Sequence, residues 1–189
     1  MKNKMEDIFQ TFPVLQTERL ELIEIKQRHL SDLFKIFGDR QVTKYYNIVA
    51  LKEEKEAQKL IDWFEKRFKD KLGIRWGIAL KNNDNIIGTI GYNTFTKDHR
   101  ANIGYDLQKT YWNQGFTKEA LMEVIKFGFE YLGINRIEAE VMPGNIYSEK
   151  ALKKLRFKKE GILRDWLYWN EKHYDMIMYS LLKRDFFTV

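Results

Sequence analysis

The chain has 189 residues, 44% hydrophobic and 15% aromatic, with 2 prolines and 11 glycines, a composition that fits one folded domain and excludes a disordered, collagenous or low-complexity polypeptide. With no cysteine, disulfide scaffolds, zinc–cysteine sites, iron–sulfur clusters and thiol nucleophiles are excluded. The 33 Lys and Arg outnumber the 27 Asp and Glu, for a formal net charge of +6; this suits an anionic partner such as a phosphorylated cofactor, although the charges are mixed in sign along the chain as on an ordinary solvated surface.

Residues 1–16 read as a short leader, and its start, with Glu6 and Asp7 and no apolar stretch, is not expected to act as a secretory signal. The run Arg19–Ile25 alternates well enough for a strand. Leu30, Leu33, Phe34 and Phe37 form a helical stripe that Gly38 ends. Ala57, Leu60, Ile61, Phe64 and Phe68 give a second, amphipathic helix within Lys52–Lys69. Two strands follow over 74–80 and 86–95, joined by the turn formers Asn82-Asn83-Asp84-Asn85, and a third over Ala101–Leu107. The period then becomes helical through Leu121, Val124, Ile125, Phe129 and Leu132, with Gly133 as C-terminal cap. A strand is predicted over Ile134–Met142, broken by Pro143-Gly144, then a short helix over Ser148–Leu155 and two late strands near 157–169 and 173–183. This order predicts one mixed α/β domain over 1–189, an antiparallel meander extended by parallel crossovers. No run of about eighteen apolar residues is present, so no membrane span is expected and the cytoplasm is the simplest location.

The segment Trp112-Asn-Gln-Gly-Phe-Thr-Lys-Glu119 lies between a strand and a helix start, where free backbone N–H groups and the positive helix end make an anion cradle. Gly115 has no Cβ to keep a phosphate away, though it is equally a residue that turns a chain before a helix; the Walker spacing is absent. His29, His99 and His173 lack ligand spacing, so no metal is expected. Tyr45, Tyr46, Trp76, Tyr105 and Trp166 are read as groove-lining or core aromatics, and Asp175 as a ligand for a substrate amine or a neighbouring Arg. The stretch Trp166-Leu-Tyr-Trp169, near Arg164 and Lys172, has no basic cluster around it, so no nucleic-acid partner is favoured.

The motifs Ile103-Gly-Tyr-Asp-Leu107, Tyr111–Ala120, Phe129–Ile137, Asn145-Ile-Tyr-Ser148, Ala151–Phe157, Glu160–Arg164, Tyr174-Asp175 and Met178–Leu182 together resemble the GNAT acyltransferase family, most closely the subgroup that acetylates the N-termini of ribosomal proteins. The resemblance spans roughly residues 17–183. It implies the GNAT α/β fold, a mixed central sheet with an antiparallel N-terminal half and splayed central strands, flanked by helices. It also implies acetyl-CoA as co-substrate, its pyrophosphate held by the amides of Gln114, Gly115, Phe116, Thr117 and Lys118. Trp112 and Thr117 depart from the family's loop pattern, and Thr117 keeps the N–H that matters. The strand Ile103–Leu107 would pair with the pantetheine arm, with N–H groups near Leu107 polarising the thioester carbonyl, and Asn145 would bond the same arm. Asn145 and Ser148 are also natural helix-cap residues.

By the same resemblance Ser148 is the candidate general acid, because the position of the family's Tyr acid is Leu152. Arg156 stands where the family has Gly before Phe157. Glu140 matches the carboxylate that serves as base in N-terminal acetyltransferases; Glu138 shares its strand face, and Asn102 replaces a Glu common in the subgroup. An α-amine titrates near ~8, within reach of one modestly basic carboxylate or an ordered water. The implied activity is direct acetyl transfer to a primary amine, most simply a protein N-terminus such as that of a ribosomal protein, by a monomer or homodimer. The alternatives are a small amine (polyamine, amino acid or antibiotic) as acceptor, or a non-catalytic acyl-CoA-binding module.

Overall fold

The computed structural model describes residues 8–187. Its strands are β1 (Leu15–Gln16), β2 (Leu20–Glu24), β3 (Ile74–Leu80), β4 (Ile86–Thr96), β5 (Arg100–Leu107), β6 (Arg136–Val141), β7 (Lys158–Trp169) and β8 (Lys172–Leu182). They form one sheet in the order β1-β2-β3-β4-β5-β6-β8-β7, antiparallel throughout except for the parallel pair β5–β6. The helices are α1 (Leu30–Phe37), α2 (Arg40–Thr43), α3 (Ala57–Lys69), α4 (Phe116–Glu130), α5 (Ile146–Lys154) and α6 (Lys183–Phe187). The mixed sheet flanked by helices matches the predicted fold class.

Strand β3 up to Ala79 and strand β4 from Ile86 to Tyr92 are buried at every position because helices cover both their faces. On one face α4 packs Ala120, Leu121, Val124 and Ile125 against Leu20, Leu22, Trp76, Ile78 and Ile90. On the other, α1 and α3 bring Leu33, Ile36, Phe37, Ile61 and Phe64 onto Ile25, Ala79 and Ile86. Ile78 and Ala79 are consecutive and belong to opposite clusters, as a two-residue period requires. The amphipathic helix predicted within Lys52–Lys69 begins with a 3-10 turn over Glu54–Glu56, where Glu56 accepts from the Lys52 and Glu53 amides at 2.6 and 3.1 Å.

Three boundaries differ from the sequence reading. The expected leader is partly built into the domain: β1 pairs with β2, Phe9 and Phe12 pack against Phe68, and the Trp76 indole donates to the Pro13 carbonyl at 2.7 Å. Its first residues, 1–7, lie outside the described residues. The strand expected from Ile134 begins at Arg136, because the left-handed Gly133 (φ +68°) reverses the chain and the Ile134 amide bonds the Gly128 carbonyl instead of a strand. The helix expected from Ser148 starts at Ile146, capped by the Asn145 side chain. Two short helices are additional, α6 and α2, the latter started by Asp39 accepting from the Gln41 amide at 2.7 Å. Among the described residues no helix is long and apolar enough to cross a membrane.

Candidate active site

The site arises from a failure of pairing. β5 pairs with β6 only where Arg100, Ala101 and Asn102 face Arg136, Ile137 and Glu138. Beyond that point β5 follows β4 as far as Leu107, while β6 follows β8 to Val141, so the two halves of the sheet diverge. The gap opens into a cleft of about 1380 Å³, with walls that include Ile103–Leu107 of β5, Ala139–Val141 of β6, and the starts of α4 and α5. A ligand cleft at the carboxyl ends of parallel strands, beside a helix N-terminus, is the usual place for a phosphorylated molecule in such folds. The splay expected from the resemblance is therefore present.

At one end of the cleft Gly115 caps α4 with φ +83°. The N–H groups of Phe116, Thr117 and Lys118 fall in the first turn, where no preceding carbonyl can accept them, and all three residues line the cleft. Gln114 does not line it; its carbonyl accepts from Arg19 Nη1 at 3.0 Å and its carboxamide donates to the Thr110 carbonyl at 2.8 Å. A staple that sequence reasoning missed fixes this loop to β2. Arg19 pairs with Glu119 at 2.7 Å, Thr17 donates to the same carboxylate at 2.5 Å, and the guanidinium lies 4.4 Å over the Phe116 ring. Burial pushes the Glu119 carboxyl up, but the hydrogen bonds from Thr17 and Arg19 outweigh it and hold the group below its ordinary value. The partners are a hundred positions apart, so only a glutamate in the first helical turn was visible in advance.

At the middle of the cleft Asn145 Oδ1 accepts from the Ser148 amide at 3.2 Å, so the cap role is realised and its Nδ2 is the donor left for a ligand. Ser148 is half-buried and lines the cleft in the first turn of α5. The Tyr105 hydroxyl donates to the Ser148 carbonyl over a long 3.5 Å, and burial pushes that phenol up to about 12. Leu107 lines the cleft, its carbonyl taken by the Trp112 indole at 2.7 Å, and the Trp112 ring reaches Tyr147 of α5 across the opening at 5.9 Å. Leu152 is fully buried.

At the other end Glu140 points into the cleft from β6, half-buried. Burial pushes its carboxyl above the ordinary value and the like charge of Glu138 adds to this, against a hydrogen bond from the Trp166 indole. Asn102 donates to it at 3.2 Å. On the β5 side of the cleft, facing β6, lies a buried ion pair that the sequence reading also missed. Arg75 reaches Asp106 at 2.7 Å and donates to the Thr89 hydroxyl and the Tyr46 hydroxyl at 2.7 and 2.8 Å. Burial pushes the Asp106 carboxyl up despite these partners. A cation inside the otherwise apolar strand Ile74–Leu80 was the available signal.

The remaining sequence candidates separate cleanly. Tyr45, Tyr46 and Tyr105 line the cleft, whereas Trp76 is fully buried core. Asp175 accepts from the Asp165 amide at 2.9 Å within the β7–β8 hairpin. Among the described residues no three His, Asp or Glu side chains gather as metal ligands.

A family model described as an acetyltransferase (GNAT) domain matches residues 19–158. YoaA, an uncharacterized N-acetyltransferase of Bacillus subtilis (strain 168), is 38% identical over 173 residues, covering 91% of this chain and 98% of its own. The uncharacterized N-acetyltransferase p20 of Bacillus licheniformis is 39% identical over 173 residues, covering 91% and 97%. Among solved structures, RimL, a ribosomal L7/L12 alpha-N-protein acetyltransferase in complex with coenzyme A, has the same fold with a TM-score of 0.74 at 18% identity, covering 92% of this chain and 99% of that one.

Proposed function

Because the chain belongs to the GNAT acetyltransferase family, and is therefore an acetyl-CoA-dependent N-acetyltransferase, we propose that its acceptor is a protein N-terminal α-amine and that Glu140 is the general base. The cofactor contributes a thioester-activated acetyl group. The residues present fit it: a left-handed glycine opens a helix start with free N–H groups, the β6-facing edge of β5 beyond Asn102 has no neighbouring strand among the described residues, and Lys118, Lys150 and Lys154 line the same cleft. In this reading the amides of Gly115–Lys118 hold the pyrophosphate, the edge of β5 through Leu107 orients the arm and polarises the carbonyl, and Asn145 Nδ2 bonds the arm. The Ser148 hydroxyl would donate a proton to the departing sulfur and regain one from solvent, while the proton from the amine stays with Glu140 until it too is lost to solvent.

The observation that carries the assignment is the Glu140 carboxylate, half-buried at the cleft mouth with its basicity raised chiefly by burial. Only a neutral amine attacks a thioester. An α-amine, titrating near ~8, needs help from a base strengthened above the ordinary carboxylate, whereas a lysine amine near ~10.4 would need far more. That RimL is a ribosomal L7/L12 alpha-N-protein acetyltransferase supports the same acceptor class.

The test is the pH profile of kcat/KM with a free-N-terminus peptide. Glu140→Gln should lower the neutral-pH rate by about 10²-fold or more, with coenzyme A affinity intact, and should abolish the acid limb due to Glu140, leaving the amine's own titration. A wild-type profile in the variant removes Glu140 from the mechanism.

A further inference from the structure

Resting on the reading of Glu140 as the base, we propose that Arg75 dictates, through Asn93 and Asn102, that an N–H rather than a carbonyl oxygen faces the Glu140 carboxylate, which makes Asn93 and Asn102 positioning residues for the base. Arg75 Nη1 donates to Asn93 Oδ1 over 3.4 Å, Asn93 Nδ2 donates to Asn102 Oδ1 at 2.9 Å, and Asn102 Nδ2 donates to Glu140 Oε1 at 3.2 Å. The direction of this chain is not free. A guanidinium has donors and no acceptor, so the carbonyl oxygen of Asn93 must turn toward it and the amide nitrogen toward Asn102. Asn102 must then answer with its oxygen, which leaves its N–H₂ for Glu140. A carboxamide whose orientation were unconstrained could turn its oxygen to the carboxylate and weaken the charged form.

The backbone is shaped for this row. Arg75, Gly91 and Gly104 are in register across β3, β4 and β5, and the guanidinium reaches the position left open by the missing side chain of Gly104. A Cβ on Gly104 would lie 2.9 Å from Asn93 Nδ2 and 3.0 Å from Arg75 Nη1. Asn93 is the extra residue of a β-bulge, where β4 advances from Tyr92 to Thr94 while β5 moves only from Ile103 to Asn102, and bulges re-aim side chains in this way. The bulge turns the Asn93 carboxamide between Arg75 and Asn102. The far side of Arg75 is anchored by Asp106, Thr89 and Tyr46, all within 2.8 Å.

The charged and titratable groups around Glu140 are few. Glu138 lies on its own strand and raises its pKa; on β8 the residue opposite is Met178, which is neutral. From β7 the Trp166 indole donates to it. Lys44, Tyr45 and Tyr46 line the same cleft, as do Lys118 of α4 and Lys150 and Lys154 of α5, and on its β5 side stands the Arg75–Asp106 pair, whose charges cancel. The Asn102 N–H therefore offsets burial and Glu138, favouring the ionised carboxylate. Without it the carboxyl should hold its proton to higher pH, and the acid limb of kcat/KM should move up.

The decisive experiment compares pH profiles at saturating acetyl-CoA, and ¹³C NMR titrations of the Glu140 carboxyl, in wild type, Asn102→Leu, Asn93→Leu, Gly104→Ala and Glu140→Gln. The Glu140→Gln spectrum identifies the Glu140 resonance. Asn102→Leu should raise both the limb and the carboxyl titration by about one unit, the size expected on losing one donor to a charged group. Asn93→Leu and Gly104→Ala, which leave Asn102 in place, should move both in the same direction by less. The relay is overturned if Asn102→Leu leaves the carboxyl titration where it is in wild type, or if it shifts while Asn93→Leu and Gly104→Ala do not. The carboxyl titration decides this even if Glu140→Gln keeps the acid limb, a result that would refute the base assignment and not the relay.

Discussion

Gly115→Ala tests the anion cradle by two separable effects. Gly115 sits at φ +83° and ψ −5°, a left-handed conformation that costs a residue with a Cβ about 1–2 kcal/mol. For a domain of this size each kcal/mol lowers Tm by roughly 2–4 °C, so a fall of about 2–8 °C is expected. The new Cβ meets only the end of the Arg19 side chain at 3.3 Å, a flexible neighbour that can yield, so no further steric loss is added. Coenzyme A binding should suffer more. Two amide–phosphate hydrogen bonds at about 1.5 kcal/mol each amount to about 3 kcal/mol, or roughly 100-fold in Kd. Gly115→Asn separates the two effects, since Asn tolerates the left-handed region: Tm should largely recover while affinity stays low. Thermal melts and calorimetric titration with coenzyme A measure both quantities. A fall in Tm with Kd within about threefold of wild type would falsify the cradle.

Other perturbations probe the scaffold around the site. Asp106→Asn leaves Arg75 charged and buried without its charged partner, and should cost about 3–5 kcal/mol, read as a Tm lowered by about 6–20 °C; a loss below about 1 kcal/mol would mean the pair is hydrated. Hydrogen bonds from the Arg136 guanidinium and then Ser180 hold the Glu160 carboxyl at about 2, below its ordinary 4.5. Its contribution is thus complete above the unfolded value and fades as pH falls from 4.5 toward 2. The urea midpoint of wild type should drop more steeply across that window than that of Glu160→Gln, and parallel curves would contradict the assignment.

The sheet and the main helices were legible because their signals are local. Alternation marked β2 and the hairpin strands, and three- and four-residue stripes marked α1, α3 and α4. What escaped notice was short or non-local. Strand β1 has two residues, and nothing in Leu15–Gln16 announces a partner at Glu21 and Leu22. Arg156, where the family has Gly, takes φ +66°, so the turn before Phe157 keeps a glycine-like geometry. Trp76, read as either a groove or a core aromatic, is core, with its indole donating to the Pro13 carbonyl. In the site, Gly115, Asn145, Ser148 and Glu140 were identified as separate points along the chain. The divergence of β5 from β6 brings them to one cleft. The Arg19–Glu119 staple and the Arg75–Asn93–Asn102 chain each join residues on different strands or helices, and no spacing in the sequence encodes such contacts.

The most direct test of acetyl transfer to an α-amine is thiol release from acetyl-CoA with matched peptides, one with a free N-terminus and one with that terminus blocked but a lysine present, alongside polyamines and aminoglycosides. Release confined to the free-N-terminus peptide, with the added acetyl group located on its first residue by mass spectrometry, is the predicted result. Equal release with the blocked peptide, or release only with the small amines, would contradict it.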